Sequence, residues 1–295
     1  MEFSLPAGIQ RILWLGYPDY VLEFVTAAVQ QLKELNLPAE QWTQAQWPPS
    51  VLLRDPKILF IISNGLRIQQ LPVHFIIHQI EQCSSKSLLQ PNSAYTQALR
   101  KALYVWDYSQ LNIRTLTSRL HLPKVGLLEF GYHKSLEFPK ETLISKSDIL
   151  FLGARTERRN RILSEFSRAG LSVRVESKLF GANKAAAIQG AKIVLNLHYY
   201  TNPSILETER LMLLLANKKC IVSETSSDAE LDSSYCQGVV FESTAHGLIA
   251  RCKEILANPE LRQSLETQAY EWFSTSKPLH RVWENLDKLK ESFTQ

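Results

Sequence analysis

Short apolar runs alternate along the chain with segments whose apolar positions recur at helical spacing. Residues 12–16 read as a buried strand ending in a turn. Over 21–35, Val21, Phe24, Val25, Ala28, Val29 and Leu32 fall on one face of a helix. Residues 59–63, 75–78, 104–106 and 125–128 predict further strands, and the polar stretch 140–147 reads as a linker. The pattern then restarts. Strands are expected over 149–153, 173–176, 193–197, 220–222 and 239–241, and helices over 157–169, 205–216 and 246–256. The tail, 260–273 and then 279–292, is amphipathic and helical. No repeat of about 20–50 residues is visible.

Strands alternating with helices predict parallel sheets covered on both faces. The expected fold is therefore α/β: two Rossmann-like, doubly wound domains facing across a cleft. They would comprise residues 1–140 and 141–295, with the last helix packing back toward the first domain. In such sheets ligands bind outside the carboxyl ends of the strands, so the candidate chemistry is sought in strand-end loops.

Composition narrows the class. The 295 residues are 45% hydrophobic and 21% charged, as in a globular protein. Lys+Arg 33 minus Asp+Glu 29 gives +4, with 13 basic and 10 acidic side chains in residues 1–140 and 20 and 19 in the rest. Neither half has the basic excess of a nucleic-acid binder. No apolar run reaches about 18 residues, so no transmembrane segment is expected. The start, Met-Glu-Phe-Ser-Leu-Pro, is not that of a signal peptide. Cys83, Cys220, Cys236 and Cys252 are scattered and read as reduced thiols of a cytoplasmic protein. No metal-ligand spacing occurs, so neither a metal nor a cofactor is expected.

The dinucleotide-binding glycine fingerprint and the serine nucleophile elbow are absent. Gly126 and Gly131 have the P-loop spacing, but Tyr132-His133 follows them instead of Lys-Ser/Thr.

Five strand-end segments remain. In residues 151–161, Gly153 ends a strand and Arg155, Arg158, Arg159 and Arg161 follow, with Thr156 a candidate N-cap. A helix start beside a glycine and guanidiniums suits a diphosphate. The bland reading is a solvated basic helix face, favoured for Arg159 and Arg161. In residues 194–210, Asn196, His198 and Tyr199 lie where a strand ends, followed by Ser204-x-x-Glu207 and Arg210. Glu207 reads either as the third residue of a capping box or as an acceptor for ribose or sugar hydroxyls. Arg210, three residues on, could pair with it or contact phosphate.

In the first half, His78, Gln79, Glu81 and Gln82 follow an apolar run. Asp107 follows another and reads as an N-cap or a base. Gly131 and Tyr132 precede the linker, where Gly131 would let backbone approach a ligand.

Together these segments resemble a bacterial GT-B glycosyltransferase of the "glycosyl transferases group 1" type, close to its CgeB-like branch. Residues 149–162 resemble that group's opening strand, glycine and arginine-rich turn. Residues 192–224 resemble its run from Asn-x-His through Glu-x-x-Arg to Ser223-Glu224. The resemblance implies a nucleotide-sugar donor bound by the second domain and an unknown acceptor bound by the first. Gly153, Arg155, Arg158, Asn196, His198, Glu207 and Arg210 would serve the donor. Gly131, Tyr132 and Gln79 would also line the substrate site, and Glu81, Asp107 and His78 are the base candidates should the reaction invert. The group often has Glu and Gly after the helical arginine, where this chain has Leu213 and Asn217-Lys218. That departure motivates the alternative of a catalytically silent GT-B-like module binding sugar or a partner protein.

Overall fold

A computed structural model describes residues 4–16, 21–42, 47–63, 68–83, 88–91, 93–139, 146–201 and 203–280. The chain divides into two compact units, one of residues 1–133 with 279–295 and one of residues 134–278.

The first unit contains a six-stranded, all-parallel sheet in the order β2-β1-β3-β4-β5-β6. Its strands are β1 (Arg11–Gly16), β2 (Ala39–Trp42), β3 (Ile58–Ser63), β4 (Phe75–Gln79), β5 (Tyr104–Asp107) and β6 (Val125–Leu127). Its helices are α1 (Leu22–Glu34), the short α2 (Ser50–Leu53), α3 (Ala94–Lys101) and α4 (Gln110–Leu120). β3 and β4 are buried at every position, as parallel strands covered on both faces must be. One face holds a core of Leu13, Phe60, Ile62, Ile77, Leu99 and Leu116 among others. Elsewhere Trp14, Phe24 and Phe130 enclose the ring of His78. Ser93 and Ser109 cap α3 and α4 through their hydroxyls. Asp107 was a candidate cap for α4, but Ser109 takes that place.

The second unit contains a five-stranded parallel sheet in the order β11-β10-β9-β7-β8. Its strands are β7 (Ser147–Leu152), β8 (Val173–Glu176), β9 (Ala191–Asn196), β10 (Cys220–Glu224) and β11 (Val240–Glu242). Its helices are α5 (Glu157–Arg168), α6 (Gly181–Gly190), α7 (Thr208–Ala216), α8 (Ala229–Tyr235), α9 (Ala245–Ala257) and α10 (Pro259–Ser276). The core on one face joins Phe151, Phe166, Leu195, Val222, Leu248 and Ile255. α7 is buried almost throughout. Beyond it, Asn217 accepts the N–H of Phe138 at 2.7 Å and donates to Leu136 O at 2.8 Å, tying residues 136–138 to the helix end.

Two expectations change. β2, a polar edge strand, was not foreseen. α7 begins at Thr208, three residues later than the periodicity suggested. Most of the expected linker (140–145) and of the tail helix (281–292) lies outside the described residues. Leu279, grouped with the first unit, donates its N–H to Tyr132 O at 2.7 Å.

Gly238 has no room for a side chain. A Cβ there would lie 2.7 Å from the Trp272 ring and 2.9 Å from Leu215. Gly238→Ala should therefore destabilise the second unit by about 1–3 kcal/mol through overpacking. A lower urea midpoint with an unchanged slope is the expected result, and an unchanged midpoint would count against this packing.

Candidate functional site

Both sheets place their first, second and third strands in the order 2-1-3, so each has a switch point between its first and third strands. Loops leaving such a point in opposite directions open a crevice for ligands. In the second unit the point lies between β7 and β9, and the arginine-rich segment and the Asn-x-His segment emerge there.

Thr156 accepts the N–H of Arg159 and so caps α5. The orphan N–H groups of the first turn and the helix dipole then favour an anion. Arg155 is exposed and donates to Asn160 Oδ1 at 3.1 Å. Arg158 is partly buried and forks onto Glu224, with Nη1 at 2.9 Å from Oε2 and Nη2 bonded to Oε1. It also donates to His198 O at 3.0 Å.

The solvated-face expectation suits Arg161, which is 72% exposed and pairs with Glu157. It fails for Arg159, which is 2% exposed. Its guanidinium donates to Leu197 O at 2.7 Å, Ala154 O at 2.9 Å and His198 O at 3.2 Å. It also stacks over the rings of Phe151 and Tyr199. Burial and the nearby Arg210 and Arg158 cations lower its pKa to about 10, opposed by Glu207 and Glu224. It therefore remains charged at neutral pH. Gly153 makes room for it: a Cβ there would sit 2.9 Å from the Phe151 ring and 3.3 Å from Arg159 Nη1.

Glu207 is not the third residue of a capping box. It is the N-cap position of α7, and its side chain caps nothing. Oε2 instead accepts from His198 Nδ1 at 2.9 Å and Asn196 Nδ2 at 3.1 Å. Asn196 Oδ1 in turn accepts from Arg210 at 2.6 Å, and its amide also reaches Ser223 Oγ at 3.0 Å. Burial would raise the Glu207 pKa. The His198 hydrogen bond and charge, with Arg210 and Asn196, reverse this and bring it to about 2. Its other oxygen, Oε1, is buried with no hydrogen-bond partner among the described residues, as is Thr208 Oγ1 beside it. Asn196 and His198 are themselves buried, and their polar atoms meet protein partners. Glu224 ends β10 and accepts from Arg158 and from the His198 main chain. Sequence reasoning missed its part, although its place at a strand end was the available signal.

In the first unit the base candidates lie at or just past the ends of β4 and β5, with His78 among Trp14, Phe24 and Phe130 and apart from Asp107. Gln79 donates to Asp107 Oδ2 at 2.7 Å, and Asp107 Oδ1 accepts from Asn112 and from the Ser109 main chain. Burial pushes the Asp107 pKa up to about 7 against these bonds. The Gln79 carbonyl accepts from Tyr95 and from the N–H of Glu81. His78 is fully buried, with Nδ1 at 3.0 Å from Ser63 Oγ and no partner on Nε2 among the described residues. Burial lowers its pKa to about 3, so the ring is neutral. Glu81 is partly exposed, Gly131 is buried and Tyr132 is half-buried. Among the described residues no group of three or more His, Cys, Asp or Glu could hold a metal ion, and no helix is long and apolar enough to cross a membrane.

No protein-family profile matches the chain. An uncharacterised protein of Acanthamoeba polyphaga mimivirus is 26% identical over 239 residues, 78% of this chain and 79% of that protein. Several solved structures share the fold. Sucrose-phosphate synthase from Thermosynechococcus elongatus superposes with a TM-score of 0.61 at 12% identity, covering 97% of this chain and 99% of that one. HepE of Anabaena, solved with UDP-glucose, gives 0.58 at 12% identity over 96% and 99%. BGT of phage T4, solved with its UDP-glucose substrate, gives 0.51 at 12% over 97% and 100%. The fold is that of the GT-B glycosyltransferases, with two Rossmann-like α/β units.

The geometry separates two arginines. Arg159→Met would strand three carbonyls held by one charged group, so it should cost at least about 3 kcal/mol of stability. Arg155→Ala touches an exposed side chain and should stay within about 0.5 kcal/mol. Denaturant unfolding of both variants is the check, and equal stabilities would contradict the strut role of Arg159.

Proposed function

We propose that the protein is a metal-independent, cytoplasmic glycosyltransferase of the CgeB-like kind. It would move a sugar from a nucleoside-diphosphate sugar to an acceptor, with the donor on the second unit. The supporting observation is the ionised Glu207, whose Oε1 has no partner among the described residues, near Arg210 and Arg159, with Arg155 and Arg158 at the start of α5 on the same β7–β9 switch point. A buried carboxylate oxygen without a donor is costly, and a ligand hydroxyl would satisfy it. The sugar or ribose would therefore sit on Glu207. The diphosphate would lie at the start of α5, with Gly153 allowing close approach and Arg155 and Arg158 supplying charge. Asn196 and Arg210 act behind Glu207 by fixing its carboxylate.

The reaction is substitution at the anomeric carbon. The acceptor oxygen forms the new bond, and the diphosphate leaves with the electron pair of the bond that breaks. Its developing charge is met by the arginines and the helix N-terminus. Should the transfer invert, a base must take the acceptor proton. Of Glu81, Asp107 and His78, we favour Glu81, because the other two are fully buried. Gln79 would then orient the Glu81 backbone, and Gly131 and Tyr132 would belong to the acceptor side.

The test is thermal stabilisation and calorimetry with UDP-, GDP- and dTDP-sugars. A ligand at about 100 times its Kd adds about 2.7 kcal/mol. A donor should raise the melting temperature of the parent, whereas a silent module without a donor site stays unchanged with all three. Glu207→Gln should weaken donor binding about tenfold or more, because a charge-assisted bond is about twice as strong as a neutral one. Arg155→Ala should lose roughly 1.5–3 kcal/mol of binding at unchanged stability. Parental affinity in both variants would remove the donor site from these residues.

A further inference from the structure

Each ring nitrogen of His198 faces acceptors only. Nδ1 lies 2.9 Å from Glu207 Oε2, while Nε2 lies 3.1 Å from Glu224 O and 3.2 Å from Thr225 O. A neutral imidazole carries one N–H, so one nitrogen lone pair would point at a carboxylate or at two carbonyls. The ring is 1% exposed, so solvent does not relieve that contact. Only the imidazolium satisfies both sides.

The charged groups around it are Glu207 at the N-cap of α7, Glu224 on β10 and Asp232 on α8, while Arg158 and Arg159 on α5 donate to its main-chain oxygen and Arg210 on α7 holds Asn196 behind Glu207. Burial disfavours the charge. The Glu207 hydrogen bond and charge outweigh it, helped by the charge and carbonyl of Glu224, and the His198 pKa is raised.

We propose that His198 is a positioning residue: held as an imidazolium between the segments that follow β9 and β10, it fixes Glu207 Oε2 and thereby presents Oε1 to the hydroxyls of the donor. The inference rests on the donor reading and adds a pH dependence to it. Deprotonation leaves a lone pair against either Glu207 or the two carbonyls, so the ring or the carboxylate must turn and Oε1 is displaced. The sign follows from linkage. A proton bound more tightly when folded stabilises the site below the usual histidine pKa, and that support is lost as pH rises through the raised value.

Two measurements test this on the full chain. In the first, ¹⁵N spectra of histidine-labelled protein near neutral pH, assigned with His198→Gln, should show protons on both ring nitrogens. A bare nitrogen overturns the proposal. In the second, the affinity of an intact nucleotide sugar, whose diphosphate carries no proton titrating in this range, is followed from about pH 6 to more than about one unit above the pH at which those spectra show His198 losing its proton. At most a tenfold change per pH unit follows from one proton. The parent should bind at least about tenfold more weakly at the alkaline end. His198→Gln should bind weakly throughout, without that dependence. An affinity flat with pH in the parent overturns the positioning role. Absence of binding by any nucleotide sugar at any pH would sink the donor reading and with it the presentation of Oε1. The first measurement would then still decide whether the imidazolium holds Glu207.

Discussion

The strand-end loops of the second unit's sheet depend on the Arg159 guanidinium. Parallel strands end in carbonyls that the sheet no longer satisfies, and here those of Leu197 and His198 follow β9, while that of Ala154 follows β7. One planar cation collects all three, holding the two strand ends that flank the switch point in fixed register. Lysine, a point charge on a flexible stem, would not span them. The rings of Phe151 and Tyr199 and the missing Cβ of Gly153 complete the slot. Local sequence is thereby joined to site geometry: the glycine that ends the strand serves the arginine six residues later.

Once that scaffold is rigid, the charges around it have defined partners. Arg158 is spent on Glu224, His198 on Glu207, and Arg210 on the amide that also holds Glu207. The first unit builds its polar cluster differently. Gln79, Tyr95, Asp107 and Asn112 form hydrogen bonds at the ends of β4 and β5, away from a switch point. Its one fully buried acid has a pKa near neutrality. Among these described residues, the charged, anion-attracting strand ends belong to the second unit.

The strands were legible because buried parallel strands are almost wholly apolar: Ile-Leu-Phe-Ile-Ile in β3 and Ile-Val-Leu in β9 are short, partly β-branched apolar runs of strand length between polar flanks. β2 was not, because Ala-Glu-Gln-Trp is a short edge strand with half its surface polar. α6 hid behind a glycine start at φ +54° and an alanine-rich body that marks no face. Candidate positions could be picked out where strand ends meet polar residues, as at Gly153 and Asn196. Roles could not. Arg159 and Arg161 are two apart in one basic run, and helical geometry turns one inward and the other to water. Ser204-x-x-Glu207 has the spacing of a capping box. The helix starts past it, and the carboxylate is drawn to partners that no local pattern reveals.

That displacement of Glu207 bears on why the network exists. Buried ion pairs are weak sources of stability, since replacing them with apolar groups of like volume is often neutral or favourable. A fold needing only stability at this point would lose little by packing leucine there, as α7 does over the rest of its length. It keeps instead an ionised carboxylate with one oxygen fixed by two donors and the other without a partner among the described residues. On the proposed reading, a hydroxyl that reached that oxygen would return the free energy the arrangement costs. The cost would then be shifted from folding to recognition, favouring ligands that bring a donor. A polyol such as ribose or a hexose would do so, and the arginines nearby would favour one that also bears phosphate.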